Sequence, residues 1–94
     1  MNNYNGRVVV VTGAGSGMGR AMVAEFVSRG ARVAALDINL ESANESASFS
    51  GNSELVFPFK VDVCSPASVQ EAIGAVISRW DRIDLLCNNA GILD

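Results

Sequence analysis

Four glycines at alternate positions, Gly13, Gly15, Gly17 and Gly19, mark the segment Val11–Arg20, which reads VTGAGSGMGR. Glycine tolerates positive φ, and without a side chain it lets a ligand approach the backbone closely. An apolar run precedes these glycines and an amphipathic run follows them, so they lie where a strand turns into a helix. The first turn of a helix offers unpaired N–H groups and a partial positive charge. The segment therefore predicts a turn that binds a phosphate group.

Asp37 is the acidic residue whose spacing from these glycines suggests the rest of a ligand. It ends the second apolar run, eighteen residues after Gly19. A carboxylate at that place can accept hydrogen bonds from both hydroxyls of an adenosine ribose, and it would repel a 2′-phosphate. Alone, the glycines could serve tight packing and Asp37 could be a solvated turn residue. Their order and spacing together favour a dinucleotide, with NAD preferred over NADP.

Two other nucleotide-binding classes share part of this pattern. A P-loop is excluded because Gly19 is followed by Arg20 and not by the Lys and Ser/Thr pair that such a loop needs. A methyltransferase that binds S-adenosylmethionine also carries a glycine loop after its first strand and an acidic residue after its second. These residues alone leave that class open.

Apolar runs alternate with amphipathic ones along the chain, which predicts a βαβαβαβ order with parallel strands and right-handed crossovers. The predicted strands are Arg7–Thr12, Ala31–Leu36, Glu54–Phe59 and Ile83–Cys87. The predicted helices are Gly17–Arg29 with Gly30 as its cap, about Leu40–Ala47, and one that starts at Ser65 and Pro66 and carries Val69, Ile73, Val76, Ile77 and Trp80 on one face. The Ser-rich stretch Ser46–Ser53 is interpreted as a polar connection. Pro58 cannot donate a hydrogen bond to a neighbouring strand, so the third strand is expected to be an edge strand or to end there.

Composition limits the classes of protein and partner. The 94 residues suffice for one domain, and a net charge of −3 with a single lysine argues against nucleic acid as the main partner. No apolar run is long enough to span a membrane, and the polar start MNNYNGR does not resemble a signal peptide, so we expect a cytoplasmic protein. Cys64 and Cys87 are expected to stay reduced, and without histidine no metal site is expected.

Three motifs resemble those of the short-chain dehydrogenase/reductase family. Thr12–Gly19 resembles its TGxxxGxG signature, Asn88–Gly91 its NNAG motif, and Asp62 with Val63 its adenine-contacting pair. A methyltransferase is not expected to carry NNAG. The resemblance runs from about Asn5 to the last residue and corresponds to roughly the first two-fifths of a typical family member.

The resemblance implies a Rossmann-type α/β fold, a doubly wound parallel sheet of which this chain would form the N-terminal half, with strand order 3-2-1-4. The glycines would shape the pyrophosphate turn, with Ser16 and Met18 lining it, and Asp37 would hold the adenosine ribose. Met18 stands where the family usually has Ile or Leu, and Asn88 would pin the central strands. The implied cofactor-binding positions are Gly13, Ser16, Gly17, Met18, Gly19, Asp37, Asp62 and Val63 at the adenine, and Asn89, Ala90 and Gly91 beside the nicotinamide-side ribose.

The family's catalytic Tyr-x-x-x-Lys pair has no counterpart in these 94 residues, so no catalytic residue is predicted. The only tyrosine is Tyr4, four residues before Val8, and the only lysine is Lys60. Tyr4 is interpreted as a surface or packing residue. We therefore expect residues 1–94 to be the N-terminal part of a single NAD(P)-binding Rossmann domain, a fragment whose uncovered fourth strand makes it marginally stable and prone to aggregate.

The function expected from the resemblance is that of an NAD-dependent oxidoreductase which transfers hydride between nicotinamide and a carbonyl or alcohol carbon. Family members act on sugars, steroids, acyl thioesters and simple alcohols. A full-length parent would bind a small-molecule substrate and form a homodimer or homotetramer. The alternative is a non-catalytic dinucleotide- or partner-binding module. A Tyr-x-x-x-Lys downstream in the same reading frame would decide between the two.

Overall fold

Strands and helices alternate along residues 3–89, the part of the chain that the computed structural model describes. The strands are β1 (Val8–Thr12), β2 (Arg32–Asp37), β3 (Val56–Lys60) and β4 (Leu85–Asn88). The helices are α1 (Gly17–Ser28), α2 (Leu40–Phe49) and α3 (Pro66–Trp80), and a short 3₁₀ turn, Ser53–Leu55, precedes β3. The βαβαβαβ order is as predicted.

The strands form one parallel sheet in the order β3-β2-β1-β4. In the middle of the sheet Val10 pairs with Ala34 on one side and with Leu86 on the other, and Ala34 pairs with Phe57. The predicted doubly wound α/β fold and its strand order are confirmed. Because the strands run in the same direction, their carboxyl ends all meet at one edge of the sheet, which is where ligands bind in open α/β folds.

The core covers both faces of the sheet, and β1 is buried along its whole length. One face packs against α1 and α2, through Val9, Val11, Val33 and Ala35 with Val23, Val27 and Ala47. The other face packs against α3, through Val8, Val10, Ala34 and Leu36 with Ala72 and Val76. A strand buried on both faces explains why the β1 sequence is a continuous apolar run without polar alternation.

The ends of the helices follow the predicted capping residues. Ser65 accepts a hydrogen bond from the Ser68 N–H, and Pro66 occupies the first turn of α3. At the carboxyl end of α1, Gly30 has φ 91° and its N–H donates to the Val27 carbonyl. A left-handed residue after a helix is the usual C-terminal cap, and glycine adopts it without steric strain.

Several boundaries differ from the sequence prediction, and those of β3 and α2 change an interpretation. The strand expected over Glu54–Phe59 begins only at Val56, because the Leu55 N–H closes a 3₁₀ turn on the Asn52 carbonyl 3.0 Å away. The second helix continues past Ala47 to Phe49. The interpretation of Ser46–Ser53 as a connection was therefore wrong for its first half, which lies in α2.

The sequence left Tyr4 as either a surface or a packing residue, and the structure shows that it packs. It is half-buried, and its ring meets that of Phe26 edge-on at 5.3 Å between centroids. Its N–H donates to the Arg29 carbonyl, so it fastens the segment before β1 to the end of α1. Within residues 3–89, every helix is too short or too polar to cross a bilayer.

Candidate functional site

A cleft of about 320 Å³ opens at the carboxyl edge of the sheet. Its walls come from the loops that follow β1, β2, β3 and β4, which is why residues far apart in the chain meet there. Its lining residues are Gly13, Ser16, Asp37, Ile38, Val61, Asp62, Val63, Cys64 and Asn89. The fold thus brings together one or more predicted positions from each of the glycine turn, the acidic strand end, the Asp62–Val63 pair and the NNAG motif.

Gly13 and Gly19 in the glycine turn must be glycine, the first for its backbone conformation and the second for lack of space. Gly13 has φ 64°, a conformation that other L-residues rarely adopt. A Cβ placed on Gly19 would overlap the carbonyl oxygen of Gly13 and the backbone of Ala14, so the start of α1 can lie against the turn only if this residue is glycine. At Gly17 a Cβ would meet nothing within 4 Å, and the space in front of the helix stays open.

Ser16 caps α1 and leaves two N–H groups available. Its Oγ accepts a hydrogen bond from the Gly19 N–H at 3.1 Å and donates to the Gly13 carbonyl at 2.8 Å. The N–H groups of Gly17 and Met18 find no acceptor in the described part of the chain. Two free N–H groups at the positive end of a helix form a suitable site for a phosphate.

The Asp37 carboxylate lies at the end of β2 and is held in place by the backbone. Its Oδ2 accepts from the Gly15 N–H at 2.8 Å, and its Oδ1 accepts from the Asn39 N–H at 2.9 Å. A carboxylate has about four acceptor sites, so it can still receive ribose hydroxyls. Gly15 was not among the site residues predicted from the sequence. The structure shows that it must be glycine, because a side chain there would overlap Ser42. Its alternate spacing with the other glycines was the available signal.

Asp62 and Val63 form the wall of the cleft beyond β3. The Asp62 Oδ1 accepts from the Cys64 N–H at 3.0 Å, and the Asp62 N–H donates to the Ser68 hydroxyl at 2.9 Å. Val63 is half-buried against the α3 face of the core. These contacts fix a short turn whose outer surface is available to a planar group such as a base.

The start of the NNAG motif is fastened to the end of β1. The Thr12 hydroxyl donates to the Asn88 Oδ1 at 2.6 Å, which fastens the end of β4 to the end of β1. The Asn89 N–H donates to the Thr12 carbonyl at 3.2 Å and hydroxyl at 3.1 Å. Asn89 thus lines the cleft at the end of β4, whereas Ala90 and Gly91 lie outside the described residues.

Several other candidate groups lie outside this arrangement. The side chain of Met18 is exposed and does not line the cleft, so Met18 can contribute to the site only through its backbone N–H. Tyr4 precedes β1 and Lys60 ends β3, so they lie at opposite ends of a parallel sheet. Among the residues that the structure describes, no three His, Cys, Asp or Glu side chains are close enough to hold a metal ion.

The two cysteines have different environments, and both are free thiols. Cys64 is exposed at the cleft wall. Cys87 is half-buried in β4, and burial raises the pKa of its thiol. The thiolate is the reactive form, so burial makes Cys87 less reactive than an ordinary exposed thiol.

Comparison with known proteins identifies the family. The family model for short chain dehydrogenase matches residues 7–94, so the chain belongs to the short-chain dehydrogenase family. It is 43% identical over 89 residues to D-threitol dehydrogenase of Mycolicibacterium smegmatis, a match that covers 94% of this chain and 34% of that protein. It is 38% identical over 90 residues to sorbitol dehydrogenase of Cereibacter sphaeroides, covering 96% and 34%. The chain thus spans about a third of the length of these curated relatives.

Solved structures show the same fold. The 3-ketoacyl-(acyl-carrier-protein) reductase of Brucella melitensis, solved with NADH, superposes with a TM-score of 0.84 at 30% identity, covering 89% of this chain and 34% of that one. The hydroxysteroid dehydrogenase of Escherichia coli superposes with a TM-score of 0.87 at 30% identity, covering 96% and 39%. The family uses NAD(P)(H) as its cofactor.

Proposed function

We propose that this chain binds NAD and forms the cofactor-binding part of an oxidoreductase which transfers hydride between nicotinamide and a carbonyl or alcohol carbon. One observation carries the proposal: Gly13 and Ser16, at the amino end of α1, line the same cleft as the fixed carboxylate of Asp37. The first suits a pyrophosphate and the second suits an adenosine ribose. A substrate and a homodimeric or homotetrameric assembly belong to the same proposal for the whole protein.

The pyrophosphate would lie on the turn formed by Gly13, Ser16, Gly17, Met18 and Gly19. The N–H groups of Gly17 and Met18 would donate to its oxygens, because the described residues leave both without an acceptor. The open space at Gly17 would let the phosphate reach the backbone.

The adenosine would lie between the ends of β2 and β3. Asp37 would accept hydrogen bonds from both ribose hydroxyls, and Asp62 with Val63 would contact the adenine. A 2′-phosphate would place negative charge beside the Asp37 carboxylate. Within residues 3–89 no lysine or arginine side chain bonds this carboxylate and offsets its charge. Like charges at short range repel, which supports NAD over NADP.

The nicotinamide half would extend toward β4. Asn89 would lie beside its ribose, together with Ala90 and Gly91. When bound, the nicotinamide supplies the hydride chemistry, and this chain orients it. The reaction also needs an acid–base group, which Tyr4 and Lys60 cannot form together because they lie at opposite ends of the sheet.

The cofactor preference is tested by binding of NADH and NADPH to the full-length natural protein and to its Asp37→Ala and Asp37→Asn variants. We expect Asp37→Ala to bind NADH about tenfold more weakly, because it loses charged hydrogen bonds, and to discriminate less against NADPH. Asp37→Asn keeps an acceptor for the Gly15 N–H while removing the charge, so it separates the charge effect from the loss of this anchor. Glu25→Ala, which removes an exposed charge at the far end of α1, is the control. Equal affinity of the unmodified protein for both cofactors would refute the preference.

The location of the cofactor is tested by alkylation, with each cysteine mapped by mass spectrometry. Cys64 lines the cleft and Cys87 does not, so saturating NADH should slow the modification of Cys64 and leave that of Cys87 unchanged. Protection of both thiols to the same degree, or of neither, would place the cofactor elsewhere.

A further inference from the structure

Ser46 is a buried polar residue of α2 that lies directly behind the glycine turn. It is fully inaccessible to solvent, and its hydroxyl donates to the Ala14 carbonyl at 2.6 Å. Ala14 lies between Gly13 and Gly15 and is itself fully buried. Among the described residues, Ser46 Oγ is the hydrogen-bond donor to this carbonyl, which would otherwise be buried without a partner.

Arg20 completes the connection from the opposite direction. Its Nε donates to the Ser46 hydroxyl at 3.2 Å, and its Nη2 pairs with Glu45 at 3.2 Å. The backbone N–H of Arg20 donates to the Ser16 carbonyl at 2.7 Å. One hydroxyl therefore joins the middle of the turn, the first turns of α1 and the body of α2.

We propose that Ser46 is a positioning residue that holds the phosphate-binding turn in its binding conformation; the inference rests on the proposed function. The N–H groups of Gly17 and Met18 must stay unpaired for the ligand, so the turn has to be fastened through its other backbone groups. The Ala14 carbonyl is the one that is held from behind the turn. Ser46 does this through Ala14 without entering the cleft. A turn fixed before binding loses less conformational freedom when the phosphate arrives, which strengthens binding.

The adenosine side of the site depends on this contact only indirectly. Asp37 bonds the Gly15 N–H of the turn, but it is also placed by its position at the end of β2 and by the Asn39 N–H. Asp62 is placed by the turn beyond β3. Loss of the Ser46 hydroxyl should therefore weaken ligands that carry a phosphate more than those that do not. A residue that only stabilises the fold would show no such difference.

The experiment compares the full-length natural protein with Ser46→Ala and Ser50→Ala by calorimetric titration with NADH, ADP and adenosine. Ser50 is a matched control, because its hydroxyl also donates to a carbonyl at 2.6 Å and accepts one hydrogen bond, but at the far end of α2. We expect Ser46→Ala to bind NADH and ADP about tenfold more weakly and adenosine with unchanged affinity, as a lost buried hydrogen bond of ordinary strength would give. Ser50→Ala should bind all three ligands as the unmodified protein does.

Ser46→Cys provides a second variant of nearly the same size, with a weaker donor, should the alanine variant not fold. Its affinity for ADP should fall between those of the serine and alanine forms, or below that of serine if it alone folds. An affinity for ADP within twofold of the unmodified protein in the folded variants, or equal weakening of ADP and adenosine, would overturn the positioning role alone. An unmodified protein that binds neither NADH nor ADP would overturn the proposed function and this inference with it.

Discussion

The glycine turn and the outer edge of β4 both adjoin β1, yet they differ in how fully their polar groups are paired. Four successive residues of the turn, 13–16, each make a hydrogen bond to a side chain, to the end of β2 or to another residue of the turn. β4 pairs on one side only, with β1, and it presents Leu85 and Leu86 at 38% and 57% exposure. The described residues thus pair the polar groups of the proposed binding turn by themselves and leave the β4 edge uncovered.

The opposite edge of the sheet shows that this exposure is not a property of edges in general. In β3, Pro58 has no N–H to offer and Lys60 adds a charge, two features that discourage pairing with another strand. Phe57 meets Trp80 at 6.1 Å, which covers the face beside α3. β4 has no proline or charged residue, so the sequence protects one edge and leaves the other able to pair.

Gly19→Ala should have the largest effect, because it attacks the interlocked turn directly. The added Cβ would overlap backbone atoms of Gly13 and Ala14, which cannot move aside as a side chain could. We expect the free energy of unfolding to fall by about 2–3 kcal/mol and NADH binding to be lost. Denaturant titration and calorimetry measure the two quantities.

Gly17→Ala is the matched control for that variant. Its Cβ would meet nothing in the chain, so stability should change by less than about 0.5 kcal/mol while NADH binding still weakens, because the Cβ enters the space assigned to the phosphate. Unchanged NADH affinity in this variant would place the phosphate somewhere else.

Ser16→Ala should have a smaller effect on stability. It removes the N-cap of α1 and the bond to the Gly13 carbonyl, which should lower the free energy of unfolding by about 1 kcal/mol. Ser28→Ala removes a hydroxyl from the other end of α1, where it bonds only the exposed Glu25 carbonyl, and should cost less. Equal losses in the two variants would mean that the cap contributes nothing beyond an ordinary surface hydrogen bond.

Asp84→Asn tests the link between β1 and β4 through its pH dependence. The hydrogen bond from Arg82, followed by that from the Val8 N–H, lowers the pKa of Asp84. A lowered folded pKa means that this stabilisation is fully present above the ordinary aspartate value of about 3.9 and is lost as the pH falls below it. The variant has no carboxylate to protonate at this position, so it should lose less stability than the unmodified protein as the pH falls below about 4. Parallel curves for both proteins would contradict the role of this carboxylate.

Leu86→Lys should leave stability nearly unchanged and alter only association. The side chain is already mostly exposed, so we expect a change in unfolding free energy of less than about 0.5 kcal/mol. A charge on the open edge should reduce self-association of the 94-residue chain in sedimentation velocity. Phe49→Lys, at an exposed apolar residue on α2 away from this edge, is the control. If both variants reduce association equally, general hydrophobicity and not the β4 edge is responsible.

The sequence alone determined the features that depend on residues close together in the chain. The continuous apolar run of β1, the capping pair Ser65–Pro66 and the glycine spacing each predict a local conformation, and the structure confirms the elements that they predict. The alternation of these elements was enough to predict a parallel sheet and its order. The boundaries of β3 and α2 shifted by about two residues, because a 3₁₀ turn and helix fraying depend on weak local preferences.

Only the tertiary structure decided which groups meet across the chain. The bond from the Gly15 N–H to Asp37 spans 22 positions, and that from Ser46 to the Ala14 carbonyl spans 32. Ser46 looked like part of a polar connection, because a buried hydroxyl and an exposed one have the same letter in a sequence. The buried hydroxyl of Ser46 differs from an exposed one because it donates to a carbonyl on another element that would otherwise lack a partner. This hydrogen bond exists only after the helix and the turn have packed together.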